Sequence, residues 1–168
     1  MTTVRAPDFV LETTVNGRVV RVAIDPGELL LDVLRERLGL TGTKRSCEVQ
    51  VCGACTVLLD EVPVSACTLL AYEARGRRVE TIEGLARDGR LHPVQQAFLD
   101  ASAFQCGYCT PGMILAVKAL LEERPDASTD EAKAWLRGNI CRCTGYASIL
   151  DAVAVARRLT DGRVPDGG

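Results

Sequence analysis

Eight cysteines and a single histidine, His92, set the chemistry open to this chain of 168 residues. Thiolates are soft ligands for zinc, copper(I) and iron–sulfur clusters. The usual general base of acid–base catalysis is almost absent. Ser65, Ser102 and Ser128 have no histidine close in sequence, which argues against a hydrolytic triad. A reducing cytosol disfavours disulfides. Metal clusters and electron transfer are therefore the chemistry that this residue content favours over hydrolysis.

The first four cysteines fall as Cys47-x4-Cys52-x2-Cys55, with eleven residues before Cys67. The triplet has the spacing of a plant-type [2Fe–2S] run, with the fourth ligand coming from a separate segment. One curled loop converges three sulfurs, and the small Gly53 and Ala54 let backbone amides approach an anionic cluster. A four-cysteine zinc site is the competing reading, although zinc sites usually come as two paired-cysteine knuckles. The last four fall as Cys106-x2-Cys109 and, about thirty residues on, Cys141-x1-Cys143. This spacing is not plant-type, and Cys141-Arg142-Cys143 is too tight for an ordinary zinc knuckle. A second cluster and a zinc site both stay open on spacing alone.

Two kinds of scaffold must position these quartets. Residues 9–24 read as a hairpin, with Asn16-Gly17 favouring a type I′ turn. Leu29 to Leu38 fits a helix with Leu30, Val33, Leu34 and Leu38 on one stripe and Gly39 as its stop. Residues 41–55 read as a loop. Thr56 to Leu59 and Val62 to Ser65 read as short strands, the second an edge strand because of Pro63. Arg78 to Ile82 reads as the last strand. After a polar connection, 83–92, only helices are expected. They run from Pro93 to Phe104, from Thr110 to about Arg124, from the capping box at Ser128 to about Arg137, and from Tyr146 to Leu159. Thr110 is the expected N-cap of the second of these, so its positive end would face a cluster on Cys109. Met113, Leu115, Val117, Leu120 and Leu121 form its core stripe. The fold class is thus α+β. Its domains are expected at 1–82 and 83–159, with a frayed tail at 160–168. The loop-built first quartet is expected near the surface, and the second enclosed by helices, so the first should lose metal sooner.

The stretch Cys106-Gly107-Tyr108-Cys109-Thr110-Pro111-Gly112-Met113, with Gly138-Asn139-Ile140-Cys141-Arg142-Cys143-Thr144-Gly145-Tyr146, resembles the iron–sulfur subunit of the molybdenum hydroxylases, the xanthine oxidase and aerobic carbon monoxide dehydrogenase family. Gly39 to Lys44 and Cys52 to Leu58 are similar to the ferredoxin-like part of the same family. The resemblance covers about residues 8–158. It implies an N-terminal β-grasp, plant ferredoxin-like domain and a C-terminal four-helix bundle, each with one [2Fe–2S] cluster. It further implies a large subunit carrying molybdopterin and a medium subunit carrying FAD, assembled as a dimer of heterotrimers. Electrons would pass from molybdenum to the helical-domain cluster, then to the ferredoxin-like cluster, then to FAD. Gln105 and Cys143 would lie closest to the pterin. Two positions depart from the family pattern: Gln50 stands where relatives often have a small residue, and Glu61 replaces the glycine of an Asp-Gly turn. Both imply left-handed backbone at a non-glycine residue. A free-standing two-cluster electron carrier is the alternative function.

The remaining composition excludes other classes. A net charge of −2 gives no basic field for nucleic acid. No apolar run is long enough to span a bilayer, and Met1 to Pro7 lacks the apolar core of a secretory signal, so the cytoplasm is the expected compartment. No glycine-rich phosphate loop is present, so FAD or ATP is not expected on this chain. His92 reads as a helix-start residue and Trp135 as packing. Arg75, Arg77 and Arg78 read as a solvated face.

Overall fold

The computed structural model describes residues 9–160. Asn16 and Gly17 both take positive φ, +50° and +78°, as a type I′ turn requires. They join β1 (Phe9–Val15) to β2 (Arg18–Ile24) in antiparallel register, Phe9 opposite Ile24 and Val15 opposite Arg18. β3 (Thr56–Leu59) and β4 (Val62–Ser65) form a second hairpin through Asp60 and Glu61, at φ +48° and +72°. The left-handed backbone expected at Glu61 is therefore present. β5 (Arg78–Glu80) runs between the hairpins, parallel to β1 and antiparallel to β3, giving the order β2-β1-β5-β3-β4. Pro63 lies on an edge strand, where its missing N–H costs no ladder bond.

All four residues of β3 are buried, because the sheet is covered on both faces there. Val57 and Leu59 pack with Leu30, Leu31 and Leu34 of the first helical segment. Leu58 points the other way, into a core with Met113, Val117 and Leu120. That second core is built from α2 (Pro93–Asp100), α3 (Thr110–Glu123), α4 (Thr129–Trp135) and α5 (Ala147–Thr160). Every residue of α3 from Gly112 to Leu121 is buried. α3 is thus not a one-stripe bundle helix but the central rod, touching both the sheet and the other helices.

Several expected boundaries move. The helix expected over Leu29 to Leu38 is one α-helical turn, α1 (Leu30–Asp32), running on as a π-helical segment, Val33–Arg37. The last strand stops at Glu80, and Ile82–Gly84 is a 3₁₀ turn. α2 ends at Asp100 rather than Phe104, and Ser102 then takes φ +48°. α4 passes into a 3₁₀ turn at Leu136–Gly138. Thr160, expected in the tail, instead closes α5, its hydroxyl donating to the Ala156 and Arg157 carbonyls, both at 3.0 Å. Residues 161–168 and the segment Met1 to Pro7 lie outside the described residues. Among the described residues no helix is long and apolar enough to cross a membrane.

Candidate functional site

The first quartet is built on a loop pinned from several sides. The Arg35 guanidinium donates to the Thr41 and Thr43 carbonyls at 3.1 and 2.9 Å. Arg45 pairs with Asp32 and, at 3.0 Å, with Glu48. Cys55 ends the loop at the start of β3, and Cys67 follows β4. The Cys67 segment is fixed by α1, whose Leu30 and Leu31 N–H groups donate to Leu69 and Ala66 carbonyls at 2.8 and 3.0 Å. Those N–H groups have no partner inside the helix, so this use satisfies both segments. Cys55 and Cys67 are buried, while Cys47 and Cys52 are half-buried.

The second quartet stands on helix ends. Cys106 and Cys109 lie in the link between α2 and α3. Cys109, not Thr110, is the N-cap of α3, its carbonyl accepting from the Met113 N–H at 3.0 Å. Thr110 sits one residue inside, and its buried Oγ1 finds no hydrogen-bond partner among the described residues. Cys141 and Cys143 lie in the turn before α5. That turn is held by Tyr146, at φ +68°, whose hydroxyl accepts from the Cys141 N–H at 2.9 Å and donates to the Asn139 carbonyl at 3.3 Å. The Thr144 hydroxyl donates to Cys141 Sγ at 3.1 Å. Cys141 is buried, Cys109 half-buried, and Cys106 and Cys143 exposed. The enclosure expected for this quartet is thus absent in the chain alone, because the helix ends converge at the surface. Gln105 is exposed beside Cys106, and Phe104, Tyr108 and Ile140, near these cysteines in the sequence, are exposed too.

The thiols meet in pairs. Cys106 and Cys143 are 3.6 Å apart. Cys47 faces Cys52, Cys55 faces Cys67, and Cys109 faces Cys141. Two thiolates on one tetrahedral metal at about 2.3 Å stand about 3.8 Å apart. Among the described residues no three His, Cys, Asp or Glu side chains converge as around a single ion. Two facing pairs suit a two-metal cluster with two thiolates on each metal.

The thiols differ in how readily they ionise. N–H groups of Val49, Cys52 and Val51 turned toward Cys47 bring its thiol down to about 6. Burial pushes the Cys55 and Cys109 thiols up to about 12. Burial also raises the Cys141 thiol, but the Thr144 hydroxyl and the Thr144 and Cys143 N–H groups outweigh it, and the net shift is downward. The hydrogen bond with Cys106 raises the Cys143 thiol. A metal must displace the protons of the buried thiols, so loading releases protons.

The two quartets are joined by contacts that sequence reasoning missed. The Ile140 N–H, next to Cys141, donates to the Cys52 carbonyl at 2.8 Å. The buried Asn139 amide donates to Gly53 O and Thr56 Oγ1 at 3.1 Å each, and to Gly112 O at 3.4 Å. A Cβ on Gly53 would lie 2.3 Å from Gly138 O, and one on Gly112 2.4 Å from Gly53 O. These glycines serve the approach of the two halves, not only access of amides to a cluster. Lys118, buried in α3, adds ion pairs to Glu80 of β5 at 3.0 Å and Glu122 at 2.8 Å. A polar residue inside an apolar stripe was the only available signal for it. His92 proves to be the N-cap of α2, and Trp135 donates to the Ala116 carbonyl at 2.9 Å.

Comparison with known proteins agrees with this architecture. A domain family described as "2Fe-2S iron-sulfur cluster binding domain" matches residues 13–85, and one described as "[2Fe-2S] binding domain" matches residues 81–154. The nicotinate dehydrogenase small FeS subunit of Eubacterium barkeri is 47% identical over 146 residues, 87% of this chain and 93% of that protein. A probable xanthine dehydrogenase subunit of Bacillus subtilis is 48% identical over 155 residues, 92% of this chain and 89% of that protein. The crystal structure of quinoline 2-oxidoreductase from Pseudomonas putida 86 aligns at a TM-score of 0.88 and 42% identity, covering 95% of this chain and 100% of the matched one. The aldehyde oxidoreductase of Desulfovibrio gigas aligns at 0.89 and 41% identity, but there 94% of this chain covers 18% of a much longer one. Two tandem [2Fe–2S] domain matches and relatives alike along nearly their whole length place this chain in the family of iron–sulfur small subunits of the molybdenum hydroxylases, with the xanthine dehydrogenases and aldehyde oxidoreductases.

Proposed function

We propose that this chain is the electron-transfer subunit of a molybdenum-containing hydroxylase or dehydrogenase. It holds one [2Fe–2S] cluster on Cys47, Cys52, Cys55 and Cys67 and another on Cys106, Cys109, Cys141 and Cys143. The observation that carries this reading is the pairing of eight thiols into two facing sets, joined by the Ile140 N–H bond to the Cys52 carbonyl. Each cluster, when bound, supplies a one-electron ferric/ferrous couple. The chain's own residues do the rest. Backbone N–H groups and the Thr144 hydroxyl offset thiolate charge, α3 presents its positive end at Cys109, and the Asn139 clamp fixes the separation of the sites.

Electrons enter at the exposed second site and leave from the first. In this reading Gln105 and Cys143 meet the molybdopterin of a large subunit. Gln105 offers both a donor and an acceptor to a pterin ring edge. FAD on a medium subunit accepts the electrons, and the complex is a dimer of heterotrimers in the cytoplasm. The domains correspond to a β-grasp ferredoxin-like part, residues 1–82, and a four-helix bundle, residues 83–159. Two clusters within residues 11–79 and one around α3, which borrows only Leu58 of the sheet, support that division.

The test is metal and partner content. Purified with its partners, the chain should carry about four irons and four acid-labile sulfides, from eight cysteines at four per cluster. Molybdenum and flavin should copurify. Zinc in place of iron would overturn the cluster assignment. Full iron with no molybdenum or flavin partner would favour a free-standing carrier. Gln105→Ala should leave iron content intact while slowing turnover or loosening the pterin. Unchanged turnover with full molybdenum occupancy would remove Gln105 from the interface.

A further inference from the structure

The loop between Cys47 and Cys52 contains two residues with left-handed backbone, and neither is glycine: Glu48 at φ +57° and Gln50 at φ +58°. This conformation is costly for a residue with a Cβ and free for glycine. Each of the two has a side chain tied to an anchor outside the loop. The Glu48 carboxylate pairs with Arg45, which also pairs with Asp32 of α1. The Thr68 hydroxyl donates to Gln50 Oε1 at 3.2 Å, sharing its one proton with the Ser65 carbonyl at 3.4 Å, and Thr68 follows Cys67 directly. One tether thus binds the loop to the first helix, and the other binds it to the segment bearing the fourth cysteine.

The two left-handed residues bend the loop back so that the N–H groups after Gln50 face Cys47 Sγ. The Val51 and Cys52 N–H groups both donate to Cys47 Sγ at 3.4 Å. Such a nest of N–H groups favours negative charge. At a cluster, donors to sulfur favour the reduced, more negative state and raise the reduction potential. A loop free to relax would lose these donors first, because relaxation of Gln50 swings the following N–H groups away.

We propose that Gln50 is a positioning residue of the first quartet. Through Thr68 it clasps the Cys47–Cys52 loop to the Cys67 segment, and so holds the N–H donors on Cys47 Sγ. The inference rests on the [2Fe–2S] reading of this site. Its range extends beyond backbone shape: glycine would satisfy the φ angle but could not make the clasp.

Thr68→Val tests it without touching the strained backbone, and Thr68→Ser restores the donor. In the iron-loaded full chain, Thr68→Val should speed iron loss from the first site to a chelator by about two- to tenfold, the span of one neutral hydrogen bond. It should also move that site's reduction potential to a more negative value. The second site's spectrum should stay unchanged, which reports that the chain is folded, and Thr68→Ser should return both readings toward the parent. Gln50→Gly should resemble Thr68→Val, although glycine suits the backbone better. Unchanged loss rate and potential in Thr68→Val would overturn the inference. So would slower iron loss in Gln50→Gly, since backbone shape would then be what matters. A parent chain with no iron on the first quartet would overturn the cluster reading itself, and the clasp with it.

Discussion

The two cysteine sites solve one ligation problem with opposite materials. The first is a loop leading into β3, with Cys55 and Cys67 buried, and Arg35, Arg45 and Thr68 fasten it. The second is a meeting of helix ends, with Cys106 and Cys143 left exposed. Irregular backbone needs its own fastenings to be rigid. Helix ends are already rigid, so nothing forces the chain to cover what they present. The first site thus has two thiols buried and two half-buried, whereas the second has one buried, one half-buried and two exposed. Both sites carry exposed apolar residues, Val49 and Val51 in the Cys47–Cys52 loop and Tyr108 and Ile140 next to Cys109 and Cys141.

The most drastic way to break the comparison is to delete one site. Cys55→Ser and Cys143→Ser should each abolish one cluster's spin signal and leave the other's, with iron falling by about half in each variant. Loss of both signals from either substitution would mean that the quartets are not independent.

Next in size is lability, where exposure reverses the order expected from loop and helix content. In the isolated chain, chelation should strip the second site faster, on the order of tenfold, because its thiols need no opening to be reached. Assembly with the partner subunits should abolish that excess. Faster loss from the first site would restore the view of the helices as an enclosure.

The seam between the sites should respond more modestly. Gly112→Ala forces a Cβ to 2.4 Å from Gly53 O, a backbone atom that cannot swing aside. Overpacking of this kind costs about 1–3 kcal/mol. Asn139→Ala removes the amide shared by Gly53, Thr56 and Gly112, at a cost of about 1–3 kcal/mol in unfolding free energy. Both variants should alter the magnetic interaction between the two clusters, whereas an equally destabilising core variant such as Ile149→Ala should not. A seam variant with unaltered interaction would show that the two sites are held apart by other contacts.

Local chemistry made much of this legible in the sequence. Asn16-Gly17 reads as a tight turn because only certain residues take positive φ, and Ser128 to Glu131 reads as a helix start because its reciprocal cap is local. Cysteine spacing pointed to two quartets, and the facing thiols fall within those quartets, although Cys141 and Cys143 lie far from Cys106 and Cys109 along the chain. Whatever depended on the other half was hidden. Nothing near Val33 announces a π-helical segment, and nothing near Asn139 reveals Gly53, 86 residues away. Thr110 followed by Pro111 suggested a cap at Thr110, but Cys109 takes that place. The exposure of Cys106 and Cys143 was misjudged because helix content says nothing of where helix ends point.

The smallest effect lies in the connection between the halves, at His92. Its Nδ1 accepts from the Val94 N–H at 3.2 Å and caps α2. Burial lowers its pKa below the ordinary value of 6.5, and Lys118 and then Arg87 lower it further, while Glu122 and Glu80 oppose them. Protonation would place hydrogen on Nδ1, break the cap and set a cation against the positive end of the helix. A group whose folded pKa is depressed in this way favours its neutral form in the fold. Its stabilisation is present above about pH 6.5 and is lost as pH falls through that value toward the folded pKa. His92→Asn keeps a capping oxygen and removes the titration. At pH 8 the parent and the variant should differ little in denaturation midpoint. Toward pH 5.5 the parent should lose more stability than the variant, by no more than about 1 kcal/mol, the usual worth of an N-cap. Carboxylates and thiols elsewhere titrate equally in both proteins, so only the difference between the two profiles reports on His92. Parallel profiles would mean that the cap survives acid and that the connection plays no part in the pH response.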